Sequence, residues 1–210
     1  MYTITATSLK GGSGKTNFCA AASVEFERLG FGPVALIDTD PQGSLSDWWN
    51  ARESPTPQFA AVDIRQLSTH LKSLQNEGIS LTIIDTPPAI SNVIHAAIAA
   101  SDLVIVPVRP SPSDLRAVGA IVNVIEASGK DFIFVINAAT PRTKIAMDAL
   151  KVLAEYGKVS PSILHNRIDF AVSMIDGRTV GELDKKSKSA QEITQLAKYV
   201  YKQLTKKVGA

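Results

Sequence analysis

One glycine-rich stretch, Leu9 to Thr16, constrains the fold of this chain more than any other feature. It reads Leu-Lys-Gly-Gly-Ser-Gly-Lys-Thr and lies between an apolar run, Tyr2 to Ala6, and a segment of helical periodicity, Thr16 to Leu29. Glycines let a loop curve so tightly that several backbone N–H groups face one anion. A strand, such a loop and a helix in this order predict a site for the phosphates of a nucleoside triphosphate. A glycine turn with solvated lysines is the weaker alternative, because it leaves the flanking strand and helix patterns unexplained.

The loop residues have distinct predicted roles at this site. Lys15 would bring a positive charge to the β- and γ-phosphates, and the Thr16 hydroxyl would bind Mg²⁺. The backbone of the loop would surround the phosphates, and the residues predicted to do so are Gly11, Gly12, Ser13, Gly14, Lys15 and Thr16.

Apolar runs bounded by turn residues alternate with helical patterns along the chain. They predict strands at 2–6, 33–38, 81–85, 102–108 and 131–136, and helices near 44–52, 63–77, 91–100, 112–128 and 141–156. Residues 53–58 are predicted to be a loop. Strands that are apolar throughout and separated by helices form parallel sheets covered on both faces. The predicted fold is an α/β P-loop fold, with a mostly parallel, twisted sheet between two helical layers. With 210 residues and 45% hydrophobic content, residues 1–210 are expected to form one domain.

Two carboxylate segments follow predicted strands. In Asp38-Thr-Asp40-Pro-Gln, a carboxylate across the sheet edge from the loop can orient an attacking water or help to hold Mg²⁺. Capping of the helix predicted near Ser44 is the alternative, and it fits Asp38 better than Asp40. In Leu81-Thr-Ile-Ile-Asp85, the strand ends in an aspartate placed to hold Mg²⁺, usually through water.

Asn137 follows the fifth predicted strand. Its amide offers a donor and an acceptor that could pair with adenine, and capping of a helix predicted from Pro141 is a nearly equal alternative. The guanine-reading string Asn-Lys-x-Asp is absent at this strand end, which reads Asn-Ala-Ala-Thr.

The string Lys10-Gly-Gly-x-Gly-Lys15-Thr resembles the deviant Walker A motif of the ParA/MinD ATPases. This resemblance implies that Lys10 reaches the partner's nucleotide across an ATP-dependent homodimer, while Lys15 serves its own. It also implies that Asp40 is the carboxylate needed for hydrolysis, that the nucleotide is ATP with Mg²⁺, and that Asn137 faces adenine. Asn17 stands where the family usually has Ser or Thr, and its amide could still donate to the α-phosphate.

Residues 102–114 and 167–182 also resemble segments of small, ParF-like plasmid-partition ATPases. The family resemblance implies an ATP-closed dimer that binds DNA non-specifically or polymerises, and a centromere-binding partner protein that triggers slow hydrolysis. Because few residues precede Lys10, we expect no N-terminal DNA-binding domain.

The charge of the chain is unevenly distributed. Residues 1–100 hold six Lys and Arg against nine Asp and Glu, whereas residues 101–210 hold 16 against 11. This basic excess can contact DNA, and a solvated lysine-rich face is an equal alternative. The pool of candidate DNA contacts is Arg142, Lys144, Arg167, Arg178, Lys185, Lys186 and Lys188.

The last predicted helix, Ala190 to Lys207, carries an apolar stripe and several lysines. In MinD-like relatives a basic amphipathic C-terminal helix holds a membrane, which gives the alternative of a membrane-associated positioning ATPase. Docking of the stripe on the sheet is favoured, and a membrane partner is not expected. The single cysteine, Cys19, is expected to be a buried apolar residue, and no secretory leader is recognised. These features predict a cytoplasmic, nucleoid-associated protein.

Overall fold

The computed structural model describes residues 1–206, and its centre is a six-stranded parallel sheet in the order β3-β2-β4-β1-β5-β6. The strands are β1 (Tyr2–Ala6), β2 (Val34–Asp38), β3 (Gln58–Phe59), β4 (Leu81–Asp85), β5 (Leu103–Val108) and β6 (Phe132–Ile136). Every neighbouring pair is parallel, so the carboxyl ends of all strands lie at one edge. In the register, Ala6 and Asp38 both lie opposite Asp85. The β1 loop and the two aspartate segments therefore meet at this edge.

Helices cover both faces of the sheet. They are α1 (Lys15–Arg28), α2 (Ser44–Asn50), α3 (Leu67–Asn76), α4 (Asn92–Ala100), α5 (Pro112–Arg116), α6 (Val118–Ala127), α7 (Ile145–Tyr156), α8 (Ile168–Ser173), α9 (Val180–Leu183) and α10 (Lys188–Thr205). Alternate strand residues point to opposite faces. One apolar cluster joins the sheet to α1, α2 and α10, and two others join it to α3, α4, α6 and α7. This arrangement confirms the predicted three-layer α/β fold.

The predicted strands agree with the observed ones to within one residue at each end, but some of the other predictions were wrong. Gln58, the last residue of the predicted loop, forms a short edge strand beside β2 together with Phe59. The helix predicted over 112–128 is divided at Ala117, whose N–H donates to the carbonyl of Asp114 three residues back. The helix predicted from Pro141 begins only at Ile145.

Helix α10 packs its apolar stripe onto the sheet side of the molecule. Ile193, Leu196, Ala197, Val200 and Leu204 are buried in the cluster shared with α1, which confirms the predicted docking. No helix within residues 1–206 combines the length and the apolar content needed to cross a bilayer. Lys207, the last residue of the predicted helix, lies outside the described residues.

Two further side chains, one in α1 and one in α2, are buried in the core. Cys19 is fully buried among apolar residues of α1, as predicted, and it forms no disulfide. Trp48 of α2 is part of the core, and its Nε1 donates to the Arg178 carbonyl at 3.0 Å.

Candidate functional site

The glycine-rich loop presents a row of backbone donors without acceptors. Gly12 and Gly14 have φ of 70° and 94°, a region that favours glycine. Gly14 also has no room for a side chain, because a Cβ there would lie 1.9 Å from Nδ2 of Asn137. The N–H groups of Gly11 to Gly14 donate to no acceptor within residues 1–206, and α1 begins without a side-chain cap. Unpaired donors at a helix start are suited to binding an anion.

Lys15 is buried at the foot of the loop. Burial lowers the pKa of its ammonium, while the charges of Asp85 and Asp40 act in the opposite direction. A bound phosphate would add a stronger negative charge and favour the protonated lysine. The contact of Lys15 with the phosphates stays a prediction.

Thr16 and Asp85 are in direct contact, although 69 residues separate them. The Thr16 hydroxyl donates to Oδ2 of Asp85 at 2.6 Å. Burial, with help from the charges of Asp38 and Asp40, raises the pKa of Asp85 to about 7, against the effects of the Thr16 hydrogen bond and Lys15. A cation beside this carboxylate would favour its ionised form.

The two aspartates that follow β2 have different surroundings. Oδ2 of Asp38 accepts from the backbone N–H groups of Leu45 and Ser46 at 3.1 and 3.0 Å, so Asp38 caps α2. Asp40 is half-buried, and its Oδ1 accepts only the N–H of Gln42, at 3.0 Å. The capping alternative therefore holds for Asp38, and Asp40 keeps one carboxylate oxygen without a partner among residues 1–206.

Lys10 lies half-buried on the amino-terminal side of the loop. Its backbone N–H donates weakly to Oγ of Ser8 at 3.4 Å, and its ammonium pairs with no carboxylate within residues 1–206. In the same loop, Oγ of Ser13 is buried and has no hydrogen-bond partner within residues 1–206. The Lys10 ammonium is therefore available to an incoming ligand.

A cavity opens from the loop towards the chain that follows β6. Among the residues lining it are Gly12, Asn17, Asn137, His165 and Arg167. Asn137 donates through Nδ2 to the Ser13 carbonyl at 2.7 Å and lies eight residues before the start of α7. The capping interpretation of Asn137 is therefore wrong. Its contact with adenine stays a prediction, as does the contact of Asn17 with the α-phosphate.

Two charged groups at the site were not predicted from the sequence. Arg167 had been placed in the pool of DNA contacts, but it is half-buried, lines the cavity, and donates to Glu192 at 2.7 Å. Arg109 follows β5 and lies against the glycine-rich loop. The other pool members are exposed, although Arg178 is paired with Asp176 at 2.6 Å.

These residues fit a magnesium nucleotide. A hydroxyl and a carboxylate, on Thr16 and Asp85, are the hard oxygen ligands that Mg²⁺ prefers. Within residues 1–206 no group of three His, Cys, Asp or Glu side chains could hold a metal alone, so phosphate oxygens would complete the coordination. The N–H groups of Gly11 to Gly14, which have no acceptor within residues 1–206, fit the phosphates.

The chain is similar in sequence to several known proteins. The model of the VirC1 protein family matches residues 1–171. The carboxysome-distribution protein A of Halothiobacillus neapolitanus is 28% identical over 93% of this chain and 94% of its own. The corresponding protein of Gloeobacter kilaueensis is 35% identical over 70% and 68%, and a ParA protein of Rhizobium radiobacter is 32% identical over 54% and 51%.

Solved structures show the same fold. The septum-site protein MinD of Pyrococcus horikoshii, complexed with Mg-ADP, superposes with a TM-score of 0.81, at 19% identity, over 97% of both chains. A MinC:MinD cell-division complex of Aquifex aeolicus gives a TM-score of 0.80, at 19% identity, over 96% of both.

Proposed function

Because the chain belongs to the VirC1 family, and with it to the ParA/MinD superfamily of P-loop ATPases, we propose that it drives the partition of DNA by an ATP-dependent dimer. As a member of this superfamily it is an ATP hydrolase. In the proposed cycle, ATP closes two subunits face to face, and the dimer binds DNA non-specifically or polymerises. A centromere-binding partner protein then stimulates hydrolysis, and the subunits separate.

The observation that carries this proposal is the ammonium of Lys10, which lies beside the phosphate loop and has no carboxylate partner in the described part of the chain. Lys15 occupies the foot of the same loop and can serve the nucleotide of its own subunit. A second lysine at the rim, without a carboxylate partner among residues 1–206, can reach a γ-phosphate presented by another subunit. Dimerisation would then depend on the γ-phosphate, and hydrolysis would reverse it.

In this scheme each polar group of the site has one task. The loop N–H groups, Ser13 and Lys15 hold the phosphates, and Asn17 and Asn137 lie along the cavity that would receive the nucleoside. Thr16 and Asp85, with Asp40 nearby, would hold Mg²⁺, which supplies charge neutralisation during phosphoryl transfer. Asp40, through its free carboxylate oxygen, orients the attacking water.

Substitution of Lys10 tests the proposal. We expect wild type to form a dimer or larger species with ATP or a non-hydrolysable analogue, and to stay monomeric with ADP, in light scattering coupled to size exclusion. Lys10→Ala should bind the analogue but stay monomeric, because it lacks the charge that reaches the second nucleotide. Lys72→Ala, at an exposed lysine of α3, is the control and should dimerise. A Lys10→Ala protein that still dimerises would contradict the proposal.

A second candidate function is the distribution of a protein body, because two relatives are named for maintenance of carboxysome distribution. In this chain both functions would use the same ATP-dependent dimer, and they differ in cargo. Co-purification of the ATP-bound Asp40→Ala protein with a DNA-binding partner would favour partition, and co-purification with a shell-associated partner would favour the second function. A membrane-associated role is less supported, because the apolar face of α10 is buried.

A further inference from the structure

Arg109 stands on the opposite side of the phosphate loop from the predicted magnesium carboxylate. The loop follows β1, and β1 lies between β4, which ends in Asp85, and β5, which ends one residue before Arg109. The carboxyl ends of these three parallel strands meet at one edge. The phosphate loop therefore has a carboxylate on one flank and a guanidinium on the other.

A buried carboxylate fixes the orientation of this guanidinium. Arg109 donates through Nε and Nη2 to the two carboxylate oxygens of Asp114, at 3.1 and 3.3 Å. The Asp114 side chain is 3% exposed and also accepts from the hydroxyls of Ser111 and Ser113. Burial would raise the pKa of Asp114, but these hydrogen bonds and the charge of Arg109 outweigh burial and lower it. The anchor is thus an ionised carboxylate.

The remaining edge of the guanidinium faces the glycines of the loop. Nη2 lies 3.5 Å from the Gly11 carbonyl oxygen, and Nη1 lies 3.5 Å from the point where a Cβ on Gly12 would be. Nη1 donates to no acceptor within residues 1–206, and the Arg109 side chain is 41% exposed. A charged, pre-oriented donor therefore lies open beside the half of the loop that precedes Lys15.

The charge balance of the site favours a phosphate as the acceptor for this donor. Asp38, Asp40 and Asp85 already contribute three carboxylates near the loop, and a triphosphate adds further negative charge. Arg binds phosphate oxygens with paired, charge-assisted hydrogen bonds, which are stronger than neutral ones. The predicted contact of Asn17 is with the α-phosphate, so Gly11 and Gly12, at the opposite end of the loop, lie towards the γ-phosphate.

We propose that Arg109 contacts the terminal phosphate of ATP bound to its own subunit, and that Asp114 is the residue that positions it. This inference rests on the proposed function, since it takes the loop to bind ATP. Its consequence is selectivity: Arg109 strengthens the binding of the triphosphate and contributes little to the diphosphate.

The test compares triphosphate and diphosphate affinities of matched variants by titration calorimetry with Mg²⁺. Arg109→Gln should weaken the binding of a non-hydrolysable ATP analogue by about 10- to 100-fold, the range for one charge-assisted contact, and leave ADP binding within about twofold. Arg109→Lys should lose less, because it keeps the charge. Asp114→Asn should show the same selective loss, because it releases the guanidinium. Arg116→Gln, at an exposed arginine of α5, is the control and should bind as wild type does.

Several results would overturn this inference. If Arg109→Gln lost affinity equally for the analogue and for ADP, Arg109 would only stabilise the loop structure. If the affinity for the analogue were unchanged, Arg109 would not contact the nucleotide. The same comparison in the Lys10→Ala protein, expected to be monomeric, should retain the selective loss. Disappearance of the loss in that background would place the contact across the dimer. Failure of wild type to bind either nucleotide would instead overturn the proposed function itself.

Discussion

At the scale of single residues, Asp38 and Asp40 show how neighbouring carboxylates acquire different tasks. Both follow β2 at the edge that carries the phosphate loop. Asp38 binds the backbone of α2 through its carboxylate, whereas in the described part of the chain Asp40 accepts a single local N–H. A capping carboxylate stabilises the fold, and a carboxylate with a free oxygen can take part in chemistry.

Alanine substitutions of these two residues should therefore have different effects, one on stability and the other on ATP hydrolysis. Asp38→Ala should lower the free energy of unfolding by about 1–2 kcal/mol, as loss of a helix cap does. Asp40→Ala should change it by less than about 0.5 kcal/mol and trap the ATP-bound dimer, because the attacking water loses its orienting group. Urea unfolding and size exclusion with light scattering measure the two effects. Asp47→Ala, at an exposed aspartate of α2, should change neither. A monomeric Asp40→Ala protein in saturating ATP would count against the role of Asp40.

At the scale of secondary structure, α10 is tied to the nucleotide cavity by one glutamate. Glu192 accepts from the backbone and Nδ1 of His165, at 3.0 and 2.8 Å, and from Arg167, at 2.7 Å. Burial would raise the pKa of Glu192, but the hydrogen bonds from Arg167 and His165 lower it overall. The helix that packs against α1 thus also orders two residues that line the cavity.

The stability supplied by Glu192 should depend on pH. A lowered native pKa means that the stabilisation is complete above the unfolded value of about 4.5 and is lost as the pH falls through the lower native value. Glu192→Gln should therefore cost about 1–3 kcal/mol at pH 7, and the difference from wild type should shrink as the pH falls from about 5 towards 3. Urea unfolding at a series of pH values measures it. Glu155→Gln, at an exposed glutamate of α7, is the control. A difference in unfolding free energy between Glu192→Gln and wild type that does not change with pH would contradict the stabilising role of the Glu192 carboxylate.

At the scale of the whole molecule, the parallel sheet gathers the site and part of the basic surface at one end. Helix α10 begins near the carboxyl ends of the strands, because Glu192 contacts His165, which pairs with Ala139 just after β6. The exposed lysines before and at the start of α10 lie at this end, and they are Lys185, Lys186 and Lys188. Face-to-face dimerisation would place two such clusters on one particle.

Reversal of this charge should weaken DNA binding. Changing Lys185, Lys186 and Lys188 to Glu together should lower the affinity of the ATP-bound form for random duplex DNA by at least about tenfold and reduce its dependence on salt, because fewer counterions are released. Fluorescence anisotropy at several salt concentrations measures both. The control is a triple variant with the same charge change at the exposed, scattered Lys72, Lys151 and Lys158. An equal loss in both variants would mean that only net charge matters, and would exclude this cluster as the contact.

The sequence by itself determined the parts of this protein that are encoded over short distances. The phosphate loop is one contiguous string, so its glycines and Lys15 could be recognised from local backbone demands alone. The five longer strands were mostly apolar runs, and the aspartates at the ends of two of them, β2 and β4, followed directly from those boundaries. Two residues of pairing cannot produce a periodic pattern, which is why β3 was missed.

Only the tertiary structure decided which distant residues share the site. The strand order places the end of β5 beside the loop and brings Arg109 to Gly12, nearly a hundred residues away in the chain. The sequence predicted Arg167 to be a surface cation, but the packing of α10 places Glu192 within hydrogen-bond distance of it. Asn137 can donate to the Ser13 carbonyl because Gly14 has no Cβ to occupy the same space. The physical reason is common to all three: periodicity and turn chemistry act over about ten residues, whereas these contacts depend on how the complete sheet and its helices pack.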